Sequence, residues 1–194
     1  MSFIVPDRCV PLLQQQRTDC KDVQAEYGEG IAQAFRSFRD YLPDDAEHIA
    51  DIGSGMAGID VLLGRHYPDA TLHLLDKEGV SPHINAGFHR RAEDFAHYND
   101  FDAALELLAA NGVSGRVVCH DLSAMPFPEM EFDVVVSLLS WGFHYPICTY
   151  APRCKGVMIV DVRKGTGGET DLRQYGCAHV VHEGKKFNRV VVRC

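Results

Sequence analysis

The sequence predicts an α/β fold: a doubly wound, seven-stranded mixed sheet with an antiparallel C-terminal hairpin. Three observations support this prediction. Short apolar runs alternate with helical stretches, a glycine loop follows the first run of the series, and only residues 183–187 separate the last two runs. Such alternation is typical of βα units with parallel strands. Because five residues are too few for a crossover helix, the last two strands are predicted to be antiparallel.

The N-terminal part of the chain precedes this alternation. Residues 1–20 mix Pro, Gln, Asp and Cys without a sustained period and are predicted to form an irregular arm. From Lys21 to Leu42 apolar residues recur at spacings of three and four, which predicts an amphipathic helix that ends at Pro43. Arm and helix together occupy residues 1–45.

The remaining elements follow in order along the chain. Strands are predicted at residues 48–52, 71–75, 116–120, 132–138, 156–162, 178–182 and 188–193. Helices are predicted at residues 59–66 and 102–111. The second and third strands are further apart than one crossover helix requires, so residues 79–100 are predicted to be a flap insertion, mobile or helical. The whole chain, residues 1–194, is predicted to be one domain.

Composition and charge exclude several classes of protein. The chain is 46% hydrophobic and 24% charged, as is usual for a soluble globular domain. Its formal net charge of -8 argues against nucleic acid as a partner, because such binding depends on clustered Lys and Arg. A basic cluster at residues 89–91 is the local exception, and it is either a solvated turn of helix or a contact with an anionic substrate.

The cysteines and the apolar runs indicate the compartment. Seven widely spaced cysteines without a Cys-x-x-Cys pair are predicted to be free thiols in a reducing compartment. His179 and His182 are three residues apart on a predicted strand and point to opposite faces, so no metal site is expected. No stretch approaches the roughly 20 apolar residues of a membrane span. A cytoplasmic location without membrane contact is predicted, whereas the oligomeric state leaves no signal in the sequence.

A glycine loop opens the first βα unit at Gly53, Gly55 and Gly58. Glycines permit a tight turn and a close approach of ligand to backbone N–H groups, and Ser54 lies within the same predicted site. Asp76 ends the second predicted strand, where a carboxylate can accept hydrogen bonds from both hydroxyls of a ribose. Together these residues predict a Rossmann-like site for an adenosine-containing cofactor.

Two further carboxylates flank this predicted site. Asp51 lies two residues before the first glycine, where dinucleotide-binding folds usually have an apolar or small residue. Asp121 and Leu122 follow the third strand, so Asp121 can accept a hydrogen bond from an adenine amino group while Leu122 packs on the ring. Asp51 and Asp121 also have a purely structural alternative, because Asp often accepts hydrogen bonds from the backbone of its own turn.

At Asp51-x-Gly53-x-Gly55, Asp76 and Asp121 the sequence resembles the class I S-adenosylmethionine-dependent methyltransferases. The resemblance covers about residues 46–194. It implies that the glycine loop accommodates the methionine moiety of S-adenosyl-L-methionine, that Asp76 binds the ribose and that Asp121 binds adenine. It also implies a transferase enzyme with seven strands, of which the last is antiparallel.

The fourth predicted strand leads into an aromatic segment that begins at Trp141. Strand ends on this side of a parallel sheet line the ligand crevice, so Trp141, Phe143 and Tyr150 are predicted to bind substrate, with core packing as the alternative. His144 titrates in the useful range and is predicted to be the base that deprotonates an attacking hydroxyl or amine. Tyr145 is predicted to position the acceptor beside it.

The acceptor is predicted to be a small molecule that is methylated on a hydroxyl. Methyltransferases that act on nucleobase amines show a Pro-Pro element where this chain has residues 140–143, and both prolines are missing here. The cationic loop at residues 163–168 is either a closure over an acidic or sugar-like substrate or an ordinary polar turn. Two other functions stay open: a nicotinamide-dependent oxidoreductase with the same glycine loop, and a non-catalytic cofactor-binding module.

Overall fold

A computed structural model describes residues 3–16, 22–81 and 97–194. The helices are α1 Val10–Gln16, α2 Val23–Arg36, α3 Gly58–His66, α4 Phe101–Ala110 and α5 Gly168–Asp171. The strands are β1 His48–Ile52, β2 Thr71–Asp76, β3 Gly79–Ser81, β4 His97–Asn99, β5 Arg116–Asp121, β6 Glu131–Ser137, β7 Arg153–Arg163, β8 Cys177–Glu183 and β9 Phe187–Arg193.

Seven of these strands form one mixed sheet in the order β5-β2-β1-β6-β7-β9-β8. Within this sheet β9 runs in the direction opposite to the other six strands. The predicted doubly wound sheet with a C-terminal hairpin is therefore confirmed. The hairpin's last strand lies inside the sheet, between β7 and β8, which the short connection between the last two strands could not predict.

The direction of the chain across the sheet reverses between β1 and β6. From β1 the chain moves outward through β2 to β5, then returns to pair β6 with the other side of β1. In open α/β sheets, ligands bind outside the carboxyl ends of the strands at such a reversal. The topology alone therefore places a candidate site beside the ends of β1 and β6.

Both faces of the central strands are buried, which explains why they read as continuous apolar runs. Ile49 and Val136 belong to a core cluster that also holds the buried side chains of α1 to α4. Ala50, Ile52 and Val135 belong to a second cluster on the other face. That second face is covered mainly by the connections after β5, β6 and β7, in which the one α-helix, α5, has four residues.

The N-terminal arm is helical, and the prediction of an irregular arm was wrong for its described part. A 3-10 turn at Asp7–Cys9 leads into α1, and the side chains of Cys9 and Leu13 are buried in the first cluster. Asn111 fixes the start of the arm, because its side chain accepts from the backbone N–H of Ile4 (2.9 Å) and donates to the Ile4 carbonyl (2.6 Å). A helix of two turns is too short to show a period in the sequence.

The predicted insertion begins and ends in strands that the sequence did not indicate. β3 and β4 pair as a two-stranded antiparallel sheet, with Gly79 opposite Asn99. Residues 82–96, where most of the predicted flap and the basic cluster at 89–91 fall, lie outside the described residues. In the part of the chain that is described, no helix has the length and apolarity needed to cross a membrane.

A buried ion pair joins the second half of the sheet to α2. Arg189 on β9 donates from Nε and Nη2 to the two oxygens of Asp161 on β7, at 2.7 and 2.9 Å. Its Nη1 donates to the Ala34 carbonyl (3.1 Å) and to Ser37 Oγ (2.9 Å) at the end of α2. Because removal of one partner would leave a buried charge uncompensated, this fork fixes the position of α2 against β7 and β9.

Three histidines form a hydrogen-bonded ladder across β1, β2 and β5. His48 Nδ1 lies 3.2 Å from His73 Nε2, and His73 Nδ1 lies 3.0 Å from His120 Nε2. Each contact needs one N–H and one lone pair, which three neutral rings supply when their tautomers are aligned along the ladder. Burial, with the neighbouring His120 and His48, lowers the pKa of His73 to about 4.

Replacing His73 by Gln is expected to flatten the acid side of the stability profile. In the wild type the unfolded chain takes up a proton on His73 near its ordinary pKa of 6.5, whereas the folded chain does so near 4. Stability is therefore lost as the pH falls between these two values, by up to about 1.4 kcal/mol per pH unit. Urea unfolding at several pH values measures the difference between variant and wild type.

The matched control for this change is His179→Gln on the exposed strand β8. That variant is expected to keep the wild-type slope. An identical slope in His73→Gln and wild type would show that the ladder does not hold His73 neutral.

Candidate functional site

Three polar groups lie at the carboxyl ends of adjacent strands. The glycine loop follows β1, Asp76 ends β2, and Asp121 ends β5, where it is paired in register with Asp76. The sequence predicted that these residues come together, and the strand order brings them to one edge of the sheet. They lie on one side of the chain reversal between β1 and β6. On the other side lies the segment that follows β6, residues 139–150, which is called the acceptor segment after its predicted role.

The glycine loop is a left-handed turn that packs against the loop after β6. Gly53 has φ +76° and Gly55 has φ +50°, a region that favours glycine. A side chain at Gly53 would collide with Ser140. At Gly58 the space that a side chain would need is filled by the Tyr27 hydroxyl of α2. The lack of a side chain at Gly58 therefore allows α2 and α3 to pack closely.

Ser54 provides a polar group with no partner inside this loop. The residue is 8% exposed, and its buried Oγ has no hydrogen-bond partner. Buried polar atoms in native proteins almost always have partners. An orphaned hydroxyl in a loop rich in backbone N–H groups is the feature expected where a polar ligand group completes the bonding.

Asp76 is turned across the glycine loop. Its Oδ2 accepts a hydrogen bond from the backbone N–H of Gly55 (2.7 Å), and its Oδ1 accepts one from the N–H of Lys77 (2.7 Å). The carboxylate therefore lies at the edge where the predicted ribose contact would be made, attached to the loop that it would share with the ligand.

Asp121 performs the turn-capping role that the sequence left open. Its Oδ1 accepts from the N–H of Ser123 (2.9 Å), from Ser123 Oγ (2.6 Å) and from the N–H of Glu78 (3.2 Å). Leu122 is half-buried against the second core cluster. The predicted adenine contacts of Asp121 and Leu122 stay predictions.

Asp51 faces Asp60 of α3, a residue that sequence reasoning missed. The two residues are 3% and 0% exposed. Burial, the Asp60 charge and hydrogen bond, and the charge of Asp76 raise the pKa of Asp51 well above its usual range, and burial raises that of Asp60 to about 6. One proton shared between the two carboxyls accounts for this arrangement. The sequence signal was an acid inside the otherwise apolar start of α3.

The Asp51–Asp60 pair has no compensating cation. Apart from the proton shared with Asp51, no donor among the described residues satisfies the oxygens of Asp60, and neither acid forms a salt bridge there. With Asp76 on the next strand, three carboxyls surround the base of the glycine loop. This end of the site therefore favours a ligand group that carries positive charge.

Trp141 is a core residue, and its predicted role in substrate binding was wrong. The side chain is 0% exposed, and its Nε1 donates to the Ile147 carbonyl at 3.1 Å. Its backbone N–H donates to Ser137 Oγ (2.9 Å), which folds the segment back onto the sheet. The aromatic residues of this segment thus form a buried inner layer, which contains Trp141, and a partly exposed outer layer. The sequence does not show which residue belongs to which layer.

The other aromatic residues of this segment are only partly buried or lie close to Asp76. Burial raises the pKa of Tyr145 above its usual range and that of Tyr150 to about 12, and in both cases the charge of Asp76 adds to the effect. Both hydroxyls therefore stay protonated at neutral pH and can act as hydrogen-bond donors. Phe143 lies on the β7 side, where the Arg163 guanidinium is 4.5 Å from its ring centroid.

His144 occupies an environment that keeps its imidazole neutral. It is half-buried beside Phe143, with ring centroids 4.9 Å apart. Burial, followed by the charge of Arg163, lowers the pKa of His144 below its ordinary value. A neutral imidazole at neutral pH is the form that a general base requires.

Leu139 is a strained residue of this edge that the sequence did not indicate. It has φ +55°, unusual for a residue with a branched side chain, and it is 42% exposed. Its backbone lowers the pKa of the buried Asp161 carboxyl against the effect of burial. The ion pair between Asp161 and Arg189 therefore lies beside the start of the acceptor segment.

Neither a groove elsewhere on the surface nor a metal-ligand cluster offers a second candidate site among the described residues. A groove of about 420 Å³ lies between α1 and α2, lined by Val10, Pro11, Val23 and Gln24 among others, and it contains none of the groups described above. Within residues 3–16, 22–81 and 97–194, no cluster of three or more potential metal ligands occurs.

Comparisons with known proteins give matches in structure and none in sequence. No protein-family model matches the chain, and no curated protein matches it. A Nostoc punctiforme protein assigned as an O-methyltransferase is similar over 97% of this chain and 61% of its own, with 12% identity and a TM-score of 0.56. The methyltransferase SibL is similar over 93% and 61%, with 15% identity and a TM-score of 0.54.

A third similar structure is the Thermus thermophilus 16S rRNA methyltransferase RsmC in complex with AdoMet and guanosine. It matches 84% of this chain and 42% of its own, with 12% identity and a TM-score of 0.56. The chain thus spans between two fifths and three fifths of these three proteins. At such identities the likeness concerns architecture: the chain has the fold of the class I S-adenosylmethionine-dependent methyltransferases.

Asp60→Asn is expected to stabilise the protein in mildly alkaline solution. The folded pKa of Asp60 is raised to about 6, so the folded chain binds a proton that the unfolded chain releases near 3.8. Stability present at low pH is thus lost as the pH rises through about 6. The amide removes this loss, which is worth roughly 1–3 kcal/mol for a shift of this size. Thermal unfolding between about pH 4.5 and pH 8 measures it.

The exposed Asp69 gives the matched control, since Asp69→Asn removes the same charge from the surface. Its stability is expected to follow that of the wild type at every pH. A variant Asp60→Asn that is less stable than wild type in alkaline solution would contradict the shared-proton interpretation.

Proposed function

We propose that this chain is an enzyme, an S-adenosyl-L-methionine-dependent methyltransferase that transfers the methyl group to a hydroxyl of a small molecule. The observation that carries the proposal is the set of three carboxyls, Asp51, Asp60 and Asp76, around the glycine loop of a methyltransferase fold. S-adenosyl-L-methionine brings a sulfonium, an ammonium and a single carboxylate to that loop, so the group bound there is positive overall, whereas a pyrophosphate is negative.

The same charges argue against the oxidoreductase alternative. A nicotinamide dinucleotide presents a pyrophosphate to the glycine loop, held by the N–H groups at the helix start. Here a buried acid pair lies directly behind that loop, and burial raises the cost of each added negative charge. A cation at this place instead favours ionisation of the pair. The charge arrangement thus supports a sulfonium cofactor over a dinucleotide.

The residues at this edge fit the parts of the cofactor. The N–H groups of the loop and the unpartnered Ser54 Oγ would bind the methionine end, Asp76 the ribose hydroxyls, and Asp121 with Leu122 the adenine. The bound cofactor would supply a methyl group that is already electrophilic. What the chain itself must contribute is alignment of the acceptor and removal of its proton.

The acceptor segment carries groups suited to both tasks. His144 is held neutral by burial and by Arg163, so its imidazole can take the proton of an attacking hydroxyl. Tyr145 and Tyr150 stay protonated and can donate hydrogen bonds that orient the acceptor oxygen. Phe143 provides an apolar wall on the β7 side.

A small hydroxyl compound is favoured over a nucleobase. The RsmC structure contains guanosine, which concerns that protein. In the present chain the Pro-Pro element of nucleobase-amine enzymes is missing, and the formal net charge of -8 opposes a nucleic-acid backbone. A non-catalytic module would need no neutral base beside the site, which argues for a working enzyme.

Asp76→Ala is expected to weaken binding of S-adenosyl-L-methionine by roughly tenfold or more, because charge-assisted hydrogen bonds to the ribose would be lost. Calorimetric titration of wild type and variant with S-adenosyl-L-methionine, S-adenosylhomocysteine and NAD measures the effect. The control is Asp69→Ala at the surface. Heat with NAD but none with S-adenosyl-L-methionine would refute the proposed cofactor.

His144→Gln is expected to lower turnover by roughly 100-fold or more while cofactor affinity stays unchanged, since general-base catalysis typically contributes that much. The assay follows methyl transfer to phenols, sugars and hydroxy acids across a pH range. Because the His144 pKa is lowered, the wild-type rate should fall only below about pH 6.5, and the variant should lack this fall. Equal turnover in variant and wild type would exclude His144 as the base.

A further inference from the structure

A cationic cluster lies at the carboxyl end of β7, beside the acceptor segment. Arg163 ends the strand and Lys164 follows it. The backbone N–H of Lys164 donates to the Lys186 carbonyl (3.0 Å) in the turn between β8 and β9, which also contains Lys185. Two hydrogen-bonded turns thus gather four cations in a chain whose formal net charge is -8. These cations lie at the β7 end of the same carboxyl edge whose other end carries Asp76 and Asp121, and ligands bind along this edge in this architecture.

Arg163 is held in one orientation by its neighbours. Its guanidinium carbon lies 4.5 Å from the Phe143 ring centroid, and its Nε donates to the Phe143 carbonyl at 2.9 Å. Its backbone N–H donates to the Gly142 carbonyl (3.0 Å). The contacts use one face and the Nε of the planar group. They leave the outer edge, with its two terminal nitrogens, in the geometry that matches a carboxylate or a phosphate.

Among residues 3–16, 22–81 and 97–194, no carboxylate neutralises that outer edge. None of the ion pairs between described residues includes Arg163. Asp161, two residues earlier on β7, is instead bonded to Arg189. Glu169, in the loop after β7, accepts from Asn188 at 2.7 Å. A preorganised arginine without a carboxylate partner is a binding group for an external oxyanion.

The strand order places Arg163 on the β7 side of the acceptor segment, away from the glycine loop. Along the carboxyl edge the sequence of strands is β2, β1, β6 and β7, spaced by about 4.8 Å. The register places Val160 of β7 level with Ser137, the last residue of β6, so Arg163 lies three residues further along. Two strand spacings across the sheet and three residues along it put Arg163 roughly 14 Å from the end of β1. Arg163 and His144 both lie against Phe143: the guanidinium carbon is 4.5 Å and the imidazole centroid 4.9 Å from its ring centroid. An acceptor that reaches His144 with its hydroxyl can reach Arg163 with another group.

We infer that Arg163 binds a carboxylate or phosphate carried by the small-molecule acceptor, and that this contact selects anionic acceptors. The assignment of the bound group to a methyl acceptor rests on the proposed function. Lys164, Lys185 and Lys186 raise the local concentration of anions, whereas Arg163 supplies the specific contact.

The test observes Arg163 directly by NMR. The Nε–Hε resonance of Arg163 is assigned by its loss in Arg163→Gln, and sodium acetate, benzoate, phosphate or phenyl phosphate is then titrated at ionic strength kept constant with sodium chloride. We expect a saturable shift with half-saturation at roughly millimolar concentration. The carboxylate and phosphate arms show which oxyanion the site prefers. Arg153, exposed at the opposite end of β7, is the internal control and should show no saturation.

Two outcomes would overturn the inference. One is a weak, linear shift that is equal at Arg163 and Arg153 for all four anions. The other is a resonance that ignores the small anions but shifts with micromolar amounts of a short RNA hairpin, which would make the cluster a nucleic-acid contact.

Failure of the proposed function would have a different signature. Calorimetry of the wild type with S-adenosyl-L-methionine is independent of Arg163. If the anions saturate Arg163 and the cofactor does not bind, the oxyanion site stands and the methyltransferase proposal falls. If the cofactor binds and no anion saturates Arg163, the inference falls alone.

Discussion

The missing side chain of Gly53 determines how closely the two halves of the site approach each other. Gly53 adopts φ +76° and leaves no room for a Cβ against Ser140, so the loops after β1 and β6 touch at the reversal of the strand order. Ser137 reinforces the contact, because its Oγ donates to the Ile52 carbonyl at 2.6 Å. In the proposed function the reacting atoms would have to lie about 3–3.5 Å apart, and a larger residue at this position would separate the cofactor from the acceptor.

Helix α2 braces both halves of this edge. Near its start Tyr27 fills the space beside Gly58 in the glycine loop, and near its end Ala34 and Ser37 bind Arg189. Arg189 in turn neutralises Asp161, whose pKa is also lowered by the backbone of the strained Leu139. A single helix that lies outside the sheet thus contacts both the glycine loop and the ion pair beside the acceptor segment. Preorganisation of this kind costs the protein some stability in buried charge and backbone strain.

The sequence predicted what depends on local pattern and missed what depends on distant partners. The seven strands of the main sheet were found because they are short apolar runs, and α2, α3 and α4 were found because their apolar residues recur at helical spacing. Gly53 and Asp76 were found because the carboxyl ends of parallel strands meet at one edge of the sheet. Asp60 was missed since its partner Asp51 lies on another element. Trp141 was misassigned for a related reason. Whether an aromatic residue lines a crevice or fills the core depends on how its segment folds back onto the sheet, and the spacing of residues in the sequence does not show this. The two-turn helix α1 was too short to show a period.

The position of β9 has a consequence for how the molecule is made. β9 is synthesised after β8, yet it must enter between β7 and β8 and pair with both. Until residues 187–193 have left the ribosome, β7 presents an open edge and Asp161 has no counterion. Two of the seven strands, β8 and β9, can therefore join the sheet only after translation has passed this point, and the nascent chain is most exposed to unwanted strand pairing just before it does.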